Sequence, residues 1–186
     1  YSVFTPYRNA WLKKLEPFFL EAYPVEKHAA ALAPVPEGIA TGMPTLESLG
    51  FRRSNLHELK IPVGWPGARE LLEDFLPRMA DYDRTRDFPA VKGPSYLSVH
   101  LRFGTISIRE LARFAWQTQQ ADPGSADGAA TWLSELVWRD FYFQILHHHP
   151  RVVDESFRPE YDRIRWVDDD AVFRAWCEGR TGFPLV

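Results

Sequence analysis

From Ala129 to His149 the chain runs without a proline or a glycine, and Pro150 ends the run. That length suits a long helix and exceeds an ordinary strand, and a proline is a natural stop. A helix is therefore predicted from about residue 128 to the triplet His147, His148 and His149. Only the first four residues, elsewhere unmatched, allow the alternation of a strand. The fold class that follows is all-α.

The other helices fall around this one. Residues 7 to 22 read as helix, and "YPVEKHAAALAPVPEGIATGMP" has the Pro, Ala and Gly content of a long connector, which puts a boundary near residue 60. Residues 61–186 then form a helical domain. In "ARELLEDFLPRMADYDRTRDF" the apolar spacing is helical, Pro77 marks a kink or break, and Tyr82 lies near the end; "DFPAVKGPS" reads as loop. Ser107 and Glu110 have capping-box spacing, Asp127 offers a start for the long helix, and "DDDAVFRAWCEG" is a shorter helix with an acidic start and Gly179 at its end.

Composition narrows the functions. A chain of 186 residues that is 45% hydrophobic can bury a real core. Its single cysteine, Cys177, rules out an internal disulfide and a cysteine-rich zinc site, and it reads as a packed side chain. The net charge of −3 lacks a general basic excess, so any nucleic-acid contact must come from a local patch. No long apolar run and no signal-like start are present, which gives a cytoplasmic reading with no membrane. Aromatic residues make up 15% of the chain, and so many rings suit a flat ligand.

Three stretches can carry chemistry. In "WLSELVWRDFYFQIL" the residues Trp132, Glu135, Arg139, Tyr142 and Leu146 share a helical stripe, and Trp138 lies one turn from Glu135 and from Tyr142. Spacing alone leaves two readings open. One is an amphipathic helix with a Glu135–Arg139 ion pair. The other is a pocket for a flat anionic ligand, which would offset the cost of charges set among rings. In "GPSYLSVHLRFG", Ser95 and Ser98 stand at a helix start, as phosphate contacts or as ordinary caps. In "DYDRTRDFP", Arg84 and Arg86 lie beside Tyr82, as backbone contacts to nucleic acid or as solvated arginines. The His triplet cannot converge on one metal, because consecutive helical residues point about 100° apart. No P-loop, Rossmann loop, Ser-His-Asp set or carboxylate pair stands out.

The stretches "YDRTRDFPAVKGPSYLSVHLRFGTISIRE", "WLSELVWRDFYFQIL" and "AWCEGRTGFPLV", with "YSVFTPYRNAWLKKL" before them, resemble successive motifs of the cryptochrome and DNA photolyase family, most nearly bacterial photolyases for cyclobutane pyrimidine dimers. The resemblance implies part of a helical FAD-binding domain behind a long linker. Residues 1–60 would be the end of an antenna domain and the linker, and 61–186 the amino-terminal half of the catalytic domain. FAD is the implied cofactor, a folate or deazaflavin antenna would lie in a preceding domain, and the partner is damaged DNA. A monomeric full-length protein is expected.

Carried over by position, Tyr82, Ser95, Leu97, Ser98, Trp132, Arg139 and Tyr142 match flavin-side positions. Glu135 and Trp138 match the catalytic positions that meet the flipped-out dimer, and Arg86 matches one near the strand's phosphates. Pro94 departs from the Thr of many relatives. The implied mechanism is light-driven: reduced flavin gives an electron to the dimer, the ring splits, and the electron returns. Glu135 would hydrogen-bond the thymine edge and, if protonated, steady the radical anion. The rival readings are a cryptochrome photosensor or a (6-4) photolyase on the same scaffold, or a non-catalytic helical binding module. Glu135 together with Trp138 favours dimer repair. The 186 residues alone are expected to bind FAD weakly, to repair nothing and to expose an apolar face.

Overall fold

The computed structural model describes residues 1–23, 25–39, 42–52 and 54–184. Pro24, Ala40, Thr41 and Arg53 of the expected connector, and Leu185 and Val186 of the last motif, lie outside the described residues. Among the described residues there is no strand, and the all-α expectation holds. The first four residues are not a strand either: Phe4 already opens a helix, α1 (Phe4–Lys14). The helix expected over 7 to 22 is two, because Leu15 and Glu16 are extended and Pro17 starts α2 (Pro17–Leu20), where a missing N–H costs nothing.

The connector holds short 3-10 turns at Val25–Ala31 and Leu56–Leu59. Beyond it, α3 (Gly64–Phe75) ends just before Pro77, the break expected there, and the chain continues directly as a 3-10 segment, Leu76–Asp81. A single turn, α4 (Tyr82–Thr85), follows and ends the continuous helical run that began at Gly64, so Tyr82 lies near the end of that run as expected. Then come α5 (Ser98–Phe103), closed by Gly104 at φ 66°, and α6 (Ile108–Ala121).

Ser107 sits at the N-cap of α6 but makes no side-chain cap bond, and Glu110 does not reach back to it. Glu110 instead accepts from Arg69 of α3 at 2.8 Å. The long helix α7 runs Ala126–His148, two residues earlier than expected, so Asp127 lies inside its first turn. Asp122 stabilises the preceding turn by accepting from the Gly124 amide at 3.0 Å and the Ser125 hydroxyl at 2.5 Å. The shorter helix α8 (Asp170–Cys177) starts on an Asp169 side chain that accepts from Ala171 and Val172 amides, and Gly179 follows at φ 65°.

The chain forms two compact units, residues 1–142 and 143–186. The first unit holds the core. Leu72 and Phe75 of α3, Met79, Leu97 and Leu111 are each at most 1% exposed, and α7 adds Ala129, Trp132, Leu133 and Leu136. Each such large side chain contributes about 1.5–3 kcal/mol when buried. In the second unit the loop after α7 is tied by Arg151, which donates to the carbonyls of Ser156 and Phe157 at 2.8 Å. The unit leaves Trp166, Val167, Phe173 and Trp176 more than half exposed, and Cys177 is exposed as well. No described helix is long and apolar enough to cross a membrane.

Candidate functional site

Helix α7 has two chemical faces. Ala129, Trp132, Leu133, Leu136 and Val137 turn into the core. Asp127, Thr131, Ser134, Glu135 and Trp138, spaced i, i+4, i+7, i+8 and i+11, turn the other way and line a cleft of about 460 Å3. The opposite walls are Phe4 and Arg8 of α1, with Asp83 and Arg86 from α4 and the turn after it.

Arg86 spans the cleft. Its Nη1 donates to Oε1 of Glu135, Nε lies 3.5 Å from Asp87, and its guanidinium centre is 5.9 Å from the Tyr82 ring. Both charged side chains are about one-third exposed, so water still screens the pair. The Glu135 hydrogen bond raises the Arg86 guanidinium above its ordinary value. Burial first, and the Glu135 charge second, raise the Tyr82 hydroxyl.

Trp138 closes one end of the cleft. Phe4 lies parallel over it, with centroids 3.5 Å apart and planes 7° apart. Phe141 meets both rings edge-on, at 5.6 and 5.7 Å, and Tyr142 lies 5.5 Å from Trp138 at 23°. Two polar atoms in the cleft wall, Arg8 Nε and Asp83 Oδ1, are buried with no hydrogen-bond partner among the described residues. Each such group costs about 1–3 kcal/mol while unmet, so a polar ligand gains by meeting them.

The expected flavin-side residues separate by environment. Leu97 and Trp132 are 1% and 3% exposed and belong to the core, where Trp132 tilts against Phe75 at 4.8 Å. Tyr82 and Ser95 are half-buried, Ser98 is exposed and Tyr142 is 62% exposed. Ser95 is not an N-cap: its hydroxyl accepts weakly from the Leu97 amide at 3.5 Å, and Ser98 makes no cap bond. Arg139 links α7 to α5 by donating to the Leu101 carbonyl at 3.3 Å, while Glu135 pairs with Arg86. Arg84 pairs with Asp81 and faces solvent. Among the described residues no three His, Cys, Asp or Glu side chains gather as a metal site.

Sequence reasoning missed Phe4 and Arg8, which fell in the segment read as linker. The signal was present: Phe4, Arg8 and Trp11 recur at helical spacing in "FTPYRNAWLKK". Asp140 fixes this face of α1 to α7 by accepting from the Tyr7 hydroxyl at 2.5 Å and from Trp11 Nε1 at 3.1 Å.

Residues 132–186 match the family described as the FAD binding domain of DNA photolyase. The whole chain is 36% identical, over 191 residues, to 38% of the deoxyribodipyrimidine photo-lyase of Escherichia coli, and 34% identical, over 205 residues, to 32% of that of Neurospora crassa. It also superposes in full on 38% of the crystal structure of a bacterial class III photolyase from Agrobacterium tumefaciens, with a TM-score of 0.75 and 26% identity. The chain thus spans 32–38% of the length of these relatives.

Proposed function

Because this chain belongs to the DNA photolyase family, we propose that it supplies one wall of a flavin site and the lesion-binding cleft of an enzyme that repairs cyclobutane pyrimidine dimers in light. The observation that carries this is the meeting of Trp138, Glu135, Arg86 and Arg8 in one cleft. A flipped pyrimidine pair needs a ring to stack on, a carboxyl group for its base edge, and cations for the flanking phosphates. Trp138 is the stacking surface, Glu135 the hydrogen-bonding group, and Arg86 and Arg8 the phosphate contacts.

The flavin wall is proposed on the neighbouring face. The Ser98 hydroxyl and the Arg139 guanidinium suit the phosphates of FAD, and Tyr82, Ser95 and Tyr142 offer polar groups and rings beside them. Leu97 and Trp132 act from the core behind this wall. Bound there in reduced form, FAD supplies light-driven one-electron donation. The chain's own residues bind and orient the lesion and hold its charge. Arg86, bonded to Glu135, is placed to offset negative charge developing on the dimer.

The test is a hybrid in which this chain replaces the matching 38% of the Escherichia coli relative. The proposal expects the hybrid to retain flavin and to restore dimer-containing DNA in light and not in darkness. Retained flavin with no repair in light would reject it in favour of a photosensor. Loss of flavin from a folded hybrid would reject the flavin wall.

A further inference from the structure

Trp138 is held more tightly than a surface tryptophan of a cleft need be, and the element that holds it comes from outside the catalytic motifs. Phe4 covers one ring face at 3.5 Å and 7°. Phe141 braces both rings edge-on, and Tyr7 tilts against Phe141 at 5.3 Å. The position of Phe4 is in turn set by Asp140, two residues past Trp138 on α7, which accepts from Tyr7 and Trp11 of the same α1 helix. One carboxylate thus locks the register of α1 on α7 and places Phe4 over Trp138.

We infer that Phe4 is a positioning residue for Trp138: it backs one face of the indole and, with Tyr142 stacked against the same ring at 5.5 Å and 23°, fixes the rotamer in which the indole meets a base in the cleft. The inference deepens the lesion-binding reading and rests on it. An unbacked indole at a cleft rim would sample several staggered rotamers and lose that freedom on stacking. Backing by Phe4 incurs that loss during folding, so stacking on a ligand costs less.

The experiment uses the chain itself, with its seven tryptophans labelled with nitrogen-15 and the Trp138 indole signal assigned by Trp138→Phe. In the unliganded chain, Phe4→Leu is expected to shift and broaden the Trp138 indole signal, and Phe4→Tyr to preserve its position. A short single-stranded oligonucleotide with one cyclobutane thymine dimer is then compared with its undamaged twin. Phe4→Leu is expected to weaken the dimer-containing strand about tenfold and the undamaged strand less than twofold, with Phe4→Tyr restoring the difference. An unmoved Trp138 signal would overturn the inference. Tighter dimer binding in Phe4→Leu would also overturn it, because Phe4 would then occupy the ligand's place. Equal binding of both strands by the wild-type chain would reject the lesion-binding reading, while the unliganded indole signal would still decide whether Phe4 positions Trp138.

Discussion

Arg86, just past α4, donates its Nη1 to Oε1 of Glu135 in the middle of α7, across 49 positions of sequence. The bond joins the cation proposed for a phosphate to the carboxylate proposed for a base edge, and so couples the two kinds of contact. Removing either end has a different signature. Arg86→Ala is expected to weaken single-stranded DNA with or without a dimer, and to reduce the slope of log K against log salt by about 0.7, the value for one phosphate contact. Glu135→Gln is expected to weaken only the dimer-containing strand, by about tenfold, in line with roughly 1–3 kcal/mol for a base-edge contact. Titrations at several salt concentrations separate the two.

The close approach that allows this bond depends on Gly128. A Cβ there would collide with the carbonyl oxygens of Met79 and Ala80 and would lie 2.6 Å from the Ala80 carbonyl carbon. These are backbone atoms of the 3-10 segment that leads into α4, so they cannot swing aside. Gly128→Ala gains about 1 kcal/mol of helix propensity but overpacks the contact at a cost of about 1–3 kcal/mol or more. A net loss of stability is expected in urea unfolding, together with weaker binding of the dimer-containing strand as Arg86 is pushed from Glu135.

Acid should loosen the loop that leads to Ser95 and Ser98. Asp74 accepts from Lys92 at 2.8 Å and Arg78 at 2.6 Å, while Arg78 also donates to the carbonyls of Lys92, Gly93 and Pro94. The Lys92 bond first, and the Arg78 bond next, hold the Asp74 carboxyl below its ordinary value. A depressed carboxyl contributes stability that is present above the unfolded value, about 4, and is lost as pH falls through the lower folded value. Asp74→Asn is therefore expected to be less stable than wild type at neutral pH and indistinguishable from it in strong acid. Amide exchange of residues 92–98 at both pH values checks this.

Alkali should act on the other side of the cleft. Burial, then the bond to Asp140, raises the Tyr7 hydroxyl well above its ordinary value. For a raised tyrosine the stabilisation is complete below about pH 10 and is lost as pH rises through the folded value. Tyr7→Phe is expected to flatten the alkaline fall in stability, at the cost of about 0.5–1.5 kcal/mol at neutral pH for the lost hydrogen bond. Urea midpoints across the alkaline range measure both effects.

These residues also show what local pattern can and cannot reveal. The long helix was legible because Pro150 stops it and its interior carries no breaker, and α8 because Asp169 and Gly179 mark its ends. The capping box at Ser107 failed because Glu110 found a stronger partner in Arg69, a tertiary contact no local spacing encodes. Trp132 and Trp138 look alike in sequence, yet six residues on a helix put them on different faces, one in the core and one on the cleft. Phe4 and Arg8 were passed over because the cleft residues they face lie 75 or more positions away, while composition around them points only to a linker.

The most direct test of the cleft as the lesion site is the affinity of the Escherichia coli hybrid, in darkness, for a dimer-containing strand and for its undamaged twin, before and after Trp138→Ala. The account predicts that the hybrid prefers the dimer by at least about tenfold, roughly 1.4 kcal/mol, the scale of one base stacked on an aromatic ring, and that Trp138→Ala abolishes the preference while flavin content stays unchanged. A preference that survives Trp138→Ala at full strength would contradict it.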